Sequence, residues 1–139
     1  MMKLFLDTNV LIDAFNKERK QYISAFRLIH LLKKGRYEAF VSSHSLTDMF
    51  YILRKTHSLL LRVKILNFIL QHCTIIYEDR DMFLAAIANP ELQDLEDEMQ
   101  QIAAQKAEVD FIVTTNLKDF AKSEVAAISI SDALLKIKS

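Results

Sequence analysis

The chain has 139 residues, 51% of them hydrophobic, enough to bury the core of one domain spanning 1–139 without disulfides or structural metals. Its one glycine excludes the P-loop and the dinucleotide fingerprint, which need several glycines to bring backbone against phosphate, and its one cysteine cannot complete a zinc site. The net charge of zero hides an asymmetry: residues 1–64 hold 12 Lys/Arg against 5 Asp/Glu, and residues 65–139 hold 6 against 13. A basic half can face phosphates and an acidic half can hold metal, although charge excess is also what solvated surface looks like.

Met2–Leu6 reads as a short apolar strand, after which Asp7-Thr8-Asn9 supplies turn and cap residues for a helical run Val10–Phe15. The N-terminus reaches the acidic Asp7 too soon for a signal peptide, and no apolar run is long enough to span a bilayer. With the lone cysteine this points to the cytoplasm. A second helix is predicted from about Glu18 to Lys34, with Tyr22, Phe26, Ile29 and Lys33 at helical spacing and Gly35 ending it. A strand follows at about Tyr37–Val41.

Ser42 or Ser43 caps a helix that carries Leu46, Met49, Phe50 and Leu53 inward, and another helix runs from about Ser58 to Gln71. Cys73–Tyr77 reads as a third strand, its thiol buried and structural. Asp79 or Asp81 caps a helix through about Ala88, Asn89-Pro90 breaks it, and the last long helix begins near Asp94. Phe111–Thr114 and Ala127–Ile130 complete five strands. Strands alternating with helices predict a parallel α/β sheet with its ligands beyond the carboxyl ends of the strands, which is where Asp7 falls.

His30, His44, His57 and His72 lie in different elements and read as surface or structural residues, and no serine sits in a nucleophile elbow. What remains is a set of acids at element ends: Asp7, Asp48, Asp94, Glu96, Asp97 and Asp119. Hard divalent cations want such oxygen ligands, and Mg²⁺ or Mn²⁺ held by a few carboxylates can activate water and neutralise charge on a phosphodiester.

Four blocks in order, Leu6–Asp13, Val41–Asp48, Asp94–Gln100 and Ile112–Phe120, make the chain resemble the PIN-domain family, and within it the VapC-type toxins, along nearly its whole length. The resemblance implies a three-layer α/β/α sandwich on a central five-stranded parallel sheet. It further implies a metal-dependent endoribonuclease, the toxin of a toxin–antitoxin pair, with Mg²⁺ or Mn²⁺ as cofactor and RNA as substrate.

Carried over by position, Asp7 is the central ligand and Asp48 and Asp97 complete the catalytic set. Asp48 stands where the family more often has Glu, one methylene longer. Asp94 is a metal ligand or a helix cap, and the fourth ligand is Asn116 or Asp119, because the usual acid position holds Asn116. Thr8 and Asn9 are turn residues in support, and Thr114 hydrogen-bonds a neighbouring acid. Glu96 and Glu98 read as solvent-facing or dipole-favoured acids.

The departures at Asp48 and Asn116 keep open an inactive PIN fold that binds RNA or protein. A receiver-type phosphoacceptor fails, because no acceptor Asp ends the third strand. The apolar residues of Leu53–Leu70 exceed one stripe, which predicts a homodimer or a small antitoxin on that side.

Overall fold

Alternation along the first strand divides the core in two. In the computed structural model, which describes residues 1–138, Leu4 and Leu6 of β1 (Lys3–Leu6) enter one apolar cluster and Phe5 enters another. Around β1 lie β2 (Glu38–Ser42), β3 (Cys73–Ile76), β4 (Phe111–Val113) and β5 (Ala127–Ile128), all parallel, in the order β3-β2-β1-β4-β5. Leu4 pairs with Ala39 on one side and Phe111 on the other. After Lys3 at its start, the central strand is apolar and fully buried at Leu4, Phe5 and Leu6, because parallel sheets are covered on both faces.

The first face carries α1 (Thr8–Phe15), α2 (Tyr22–Lys33), α3 (Ser43–Ile52), α4 (Leu59–His72) and α7 (Ile130–Lys138), contributing among others Leu11, Leu28, Met49, Ile69 and Ala133. The second face carries α5 (Arg80–Ile87) and α6 (Leu95–Lys106), which bring Met82, Ala86, Met99 and Ala103 onto Phe5 and Ile112. The result is the three-layer α/β/α sandwich with a five-stranded parallel sheet that the sequence implies. Among the described residues no helix is long and apolar enough to cross a membrane.

Local chemistry sets most boundaries. Gly35, at φ 71°, ends α2 with the paired bonds Gly35 N to Leu32 O and Arg36 N to Leu31 O. Asp79, not Asp81, caps α5 by accepting from Met82 N, and Ser58 caps α4 by accepting from Leu61 N.

Three expectations are corrected. The second helix starts at Tyr22, not Glu18, because Asn16 Oδ1 takes the Glu18 amide and closes a turn there. Its inner stripe is Ala25, Leu28, Ile29 and Leu32, so Phe26 stands 50% exposed against Tyr22. The last strand stops at Ile128, and Ile130 opens α7, where Ser129 Oγ accepts the Asp132 amide.

Candidate metal centre

In the strand order found here the chain reverses direction across the sheet between β1 and β4, and a crevice opens where the connections leave on opposite faces. Asp7 sits at that point, directly after β1, only 3% exposed. Gln100 Nε2 donates to its Oδ1 at 2.8 Å and Thr114 Oγ1 donates to its Oδ2 at 2.8 Å. Burial pushes the Asp7 carboxyl up, the bonds from Gln100 and Thr114 oppose this, and Asp119 adds to the rise.

Two neighbours hold these donors in place. Gln100, fully buried on α6, accepts the Thr8 amide at 3.3 Å through Oε1, so its carboxamide orientation is fixed by both partners. The Thr8 and Ser45 hydroxyls bond at 2.6 Å, linking α1 to α3. Asn9 turns away, and its Oδ1 accepts from Arg19 at 3.4 Å beside the Arg19–Asp13 ion pair of 2.7 Å.

On one side of Asp7 stand Asp97 and Asp119. Asp94 is the N-cap of α6, accepting the Asp97 amide at 3.0 Å, and this places Asp97 in the first turn. The Asp97 carboxyl is pushed up to about 6 by burial first, then by Asp94, Asp119 and Asp7. Asp119 lies in the 3₁₀ turn Leu117–Phe120 beyond β4. Asn116 precedes that turn, exposed, its backbone N–H donating to Thr114 Oγ1 at 3.0 Å. Asp94, Asp97, Gln101, Lys118 and Asp119 line a polar groove of about 630 Å³.

On the other side stands a second group. His44, Asp48 and Glu96 bring one ligand atom each to within 4.8 Å of the others. Glu96 is pushed up to about 7, by burial first and by its hydrogen bond to Asp48, with Asp7 adding and His44 opposing. Glu96 therefore feels both Asp48 and Asp7 and connects the two groups. Glu78, after β3, accepts from Ser43 Oγ, from the His44 amide and from His44 Nδ1, anchoring the start of α3.

Each sequence-selected residue thus has a place. Asp7, Asp97 and Asp119 converge, Thr114 bonds an acid as expected, and Asp48 joins through Glu96. Asp94 is occupied as a cap. Glu96 is exposed in the first turn of α6, as expected of a solvent-facing or dipole-favoured acid, yet its carboxyl also comes close to Asp48 and His44. Of the histidines expected to be surface or structural residues, His30 is exposed, His57 bonds the Phe15 carbonyl and His72 stacks on Phe68, whereas His44 joins this acidic group. The spacing of His44 and Asp48, four residues apart on one helix face, is the signal that could have found the group. Gln100 gave no signal beyond a polar residue on the buried stripe of α6.

The donor set fits a hard divalent cation. Carboxylates crowded enough to raise one another's proton affinity are what a dication neutralises.

Comparison with known proteins agrees with this architecture. No curated protein sequence is a significant match. Among solved structures, a chain of VapBC2 from Rickettsia felis, bound to a DNA fragment from its promoter, is similar at TM-score 0.66. It is 20% identical, over 92% of this chain and 98% of that one. VapC20 of Mycobacterium tuberculosis, a sarcin–ricin-loop-cleaving toxin, is similar at TM-score 0.69 and 14% identity, over 88% and 96%. A toxin–antitoxin complex from Klebsiella pneumoniae gives TM-score 0.66 at 21% identity, over 91% and 97%. The PIN-domain profile matches residues 3–118, from the first strand through Thr114 and Asn116, and the chain belongs to the PIN-domain family.

Proposed function

We propose that this protein is an endoribonuclease that uses Mg²⁺ or Mn²⁺ held at Asp7, Asp48 and Asp97, with Asp119 beside them, and that it serves as the toxin of a toxin–antitoxin pair in the cytoplasm. The observation that carries the reading is Asp7: a buried carboxylate, oriented by two donors and close enough to Asp97 and Asp119 to interact with both, which themselves line a polar groove. A bound dication supplies an activated water and neutralises charge on the scissile phosphodiester.

The protein's own groups do the rest. Gln100 and Thr114 each donate to one oxygen of Asp7, which fixes the carboxylate plane. Asp94 holds the first turn of α6 and so sets where Asp97 points. Asn116 contributes to the turn that brings Asp119 round. Lys118 on the groove wall offers positive charge to RNA phosphates, while Lys122 beside it is paired with Glu91. Because water attacks and the 2′-hydroxyl is not used, the products carry 5′-phosphate and 3′-hydroxyl ends.

A partner surface accompanies the site. Leu46, Phe50, Tyr51, Leu66 and Leu70 line an apolar groove of about 510 Å³, with Arg54 stacked 3.6 Å over Tyr51 and Arg62 4.6 Å over Phe50. Apolar floor with arginine rim suits a small antitoxin segment of apolar and acidic residues, or a second copy of this chain.

The test compares wild type with Asp7→Asn. Wild type cleaves RNA with Mn²⁺ or Mg²⁺ and stops in chelator; the variant stays folded, melts no lower without metal, and does not cleave. Asp7→Asn also loses most of the stabilisation that Mn²⁺ confers on wild type. Normal cleavage by the variant, or 2′,3′-cyclic phosphate ends from wild type, overturns the reading. RNA binding by wild type without cleavage in any metal would instead make the chain an inactive PIN module.

A further inference from the structure

Beyond the three acids assigned above, His44 has an unusual environment. Its Nε2 is closed to solvent and has no hydrogen-bond partner, although it lies 3.7 Å from Glu96 Oε2. Its Nδ1 lies 2.9 Å and 3.0 Å from the two Glu78 oxygens. A carboxylate only accepts, so Nδ1 carries a proton toward Glu78, and Nε2 is the nitrogen left without a partner. A buried ring nitrogen without a partner costs free energy, and His44, Asp48 and Glu96 bring one ligand atom each to within 4.8 Å of the others.

This is how metal-binding histidines are commonly built: a carboxylate on one ring nitrogen fixes the tautomer and raises the basicity of the other. The topology supplies the parts from three places. His44 and Asp48 share a face of α3, one turn apart, Glu78 follows β3, and Glu96 reaches over from the first turn of α6.

We propose that His44, Asp48 and Glu96 form a second cation site that takes a transition-metal dication in preference to Mg²⁺, with Glu78 orienting the imidazole. One nitrogen and two oxygen donors suit Mn²⁺ or Zn²⁺, whereas Mg²⁺ prefers an all-oxygen octahedron. Three protein donors leave the remaining positions to water. The site shares Asp48 with the proposed nuclease centre but does not depend on cleavage, so binding is read directly.

The full chain, stripped of metal, is titrated with Mn²⁺, Zn²⁺ and Mg²⁺ by calorimetry, and bound Mn²⁺ is examined by electron spin-echo for coupling to a directly ligated imidazole nitrogen. Expected are a nitrogen coupling in wild type and an additional binding event for Mn²⁺ and Zn²⁺ that Mg²⁺ lacks. His44→Gln removes both. Glu78→Gln weakens that event by about 10–100-fold, as loss of such outer partners does.

Glu96→Gln, at a half-exposed side chain, removes the event without threatening the fold and decides the matter if His44→Gln is unstable. Asp7→Asn keeps the nitrogen coupling. The proposal is overturned if wild type shows no coupling, or if His44→Gln and Glu96→Gln bind Mn²⁺ as wild type does. A wild type that shows the coupling but never cleaves RNA would sink the nuclease reading alone, and cleavage without the coupling would sink this one alone.

Discussion

Gln100 illustrates how much one uncharged side chain can govern at a charged site. It is fully buried, gives one donor to Asp7 and accepts the Thr8 amide, so Gln100→Leu strips both at once while keeping volume. Leaving a buried carboxylate and a buried amide short of partners costs about 1–3 kcal/mol each at most contexts of this kind. Urea denaturation of the metal-free variant is expected to show a loss of about 2–6 kcal/mol for the two groups together; an unchanged midpoint would mean water replaces the carboxamide. The acids themselves give a pH signature. In the folded chain Asp97 is raised from 3.8 to about 6 and Glu96 from 4.5 to about 7, so folding takes up protons. Their favourable contribution is complete below the unfolded values and is lost as pH rises through the folded ones, a window from about pH 4 to about pH 7. The metal-free melting temperature of wild type should therefore fall relative to the double variant Glu96→Gln, Asp97→Asn across that window. A difference between the two proteins that is constant with pH would show that these carboxyls titrate normally.

At the scale of elements, α6 does two jobs with one turn. Its cap, Asp94, satisfies the Asp97 amide, and the same turn delivers Glu96 to one group of acids and Asp97 to the other. Cap and ligand roles separate by substitution: Asp94→Asn preserves the capping oxygen and should leave stability within a few tenths of a kcal/mol, while Asp94→Ala should cost about 1 kcal/mol. Both should bind Mn²⁺ nearly as wild type does, as read by thermal shift. A large loss of Mn²⁺ stabilisation in Asp94→Asn would make Asp94 a ligand after all. The capping pattern, the Asn89-Pro90 break and the Gly35 stop were legible in sequence because each is local chemistry between residues a few positions apart. The start of α2 was not, since the Asn16 turn competes with helix over the same residues and only packing selects between them.

For the whole molecule, the outer face of α3 and α4 is an apolar surface that no other described element covers. α4 buries only Ile65 and Ile69 while Leu59, Leu60 and Leu61 stand 62%, 67% and 44% exposed. Adjacent apolar residues of this kind mark an interface. We expect wild type to run as a homodimer, or with a small partner, in light scattering at micromolar concentration, and Leu60→Glu to dissociate it without changing its far-ultraviolet circular dichroism. A monomeric wild type that captures no small protein would count against this.

By itself the sequence determined the alternation of strands and helices, the family resemblance in its four acidic blocks, and the convergence of Asp7 and Asp97. These follow from period and order, since a parallel sheet must gather its strand ends at one edge. Only the tertiary structure decided which acids face one another. Glu96 and Asp97 are adjacent acids in one helix turn, about 100° apart around the axis, and one meets Asp48 and His44 while the other lies near Asp119. That choice depends on how α6 seats against α3 and the 3₁₀ turn after β4, and no local pattern encodes the distance between side chains contributed by separate elements.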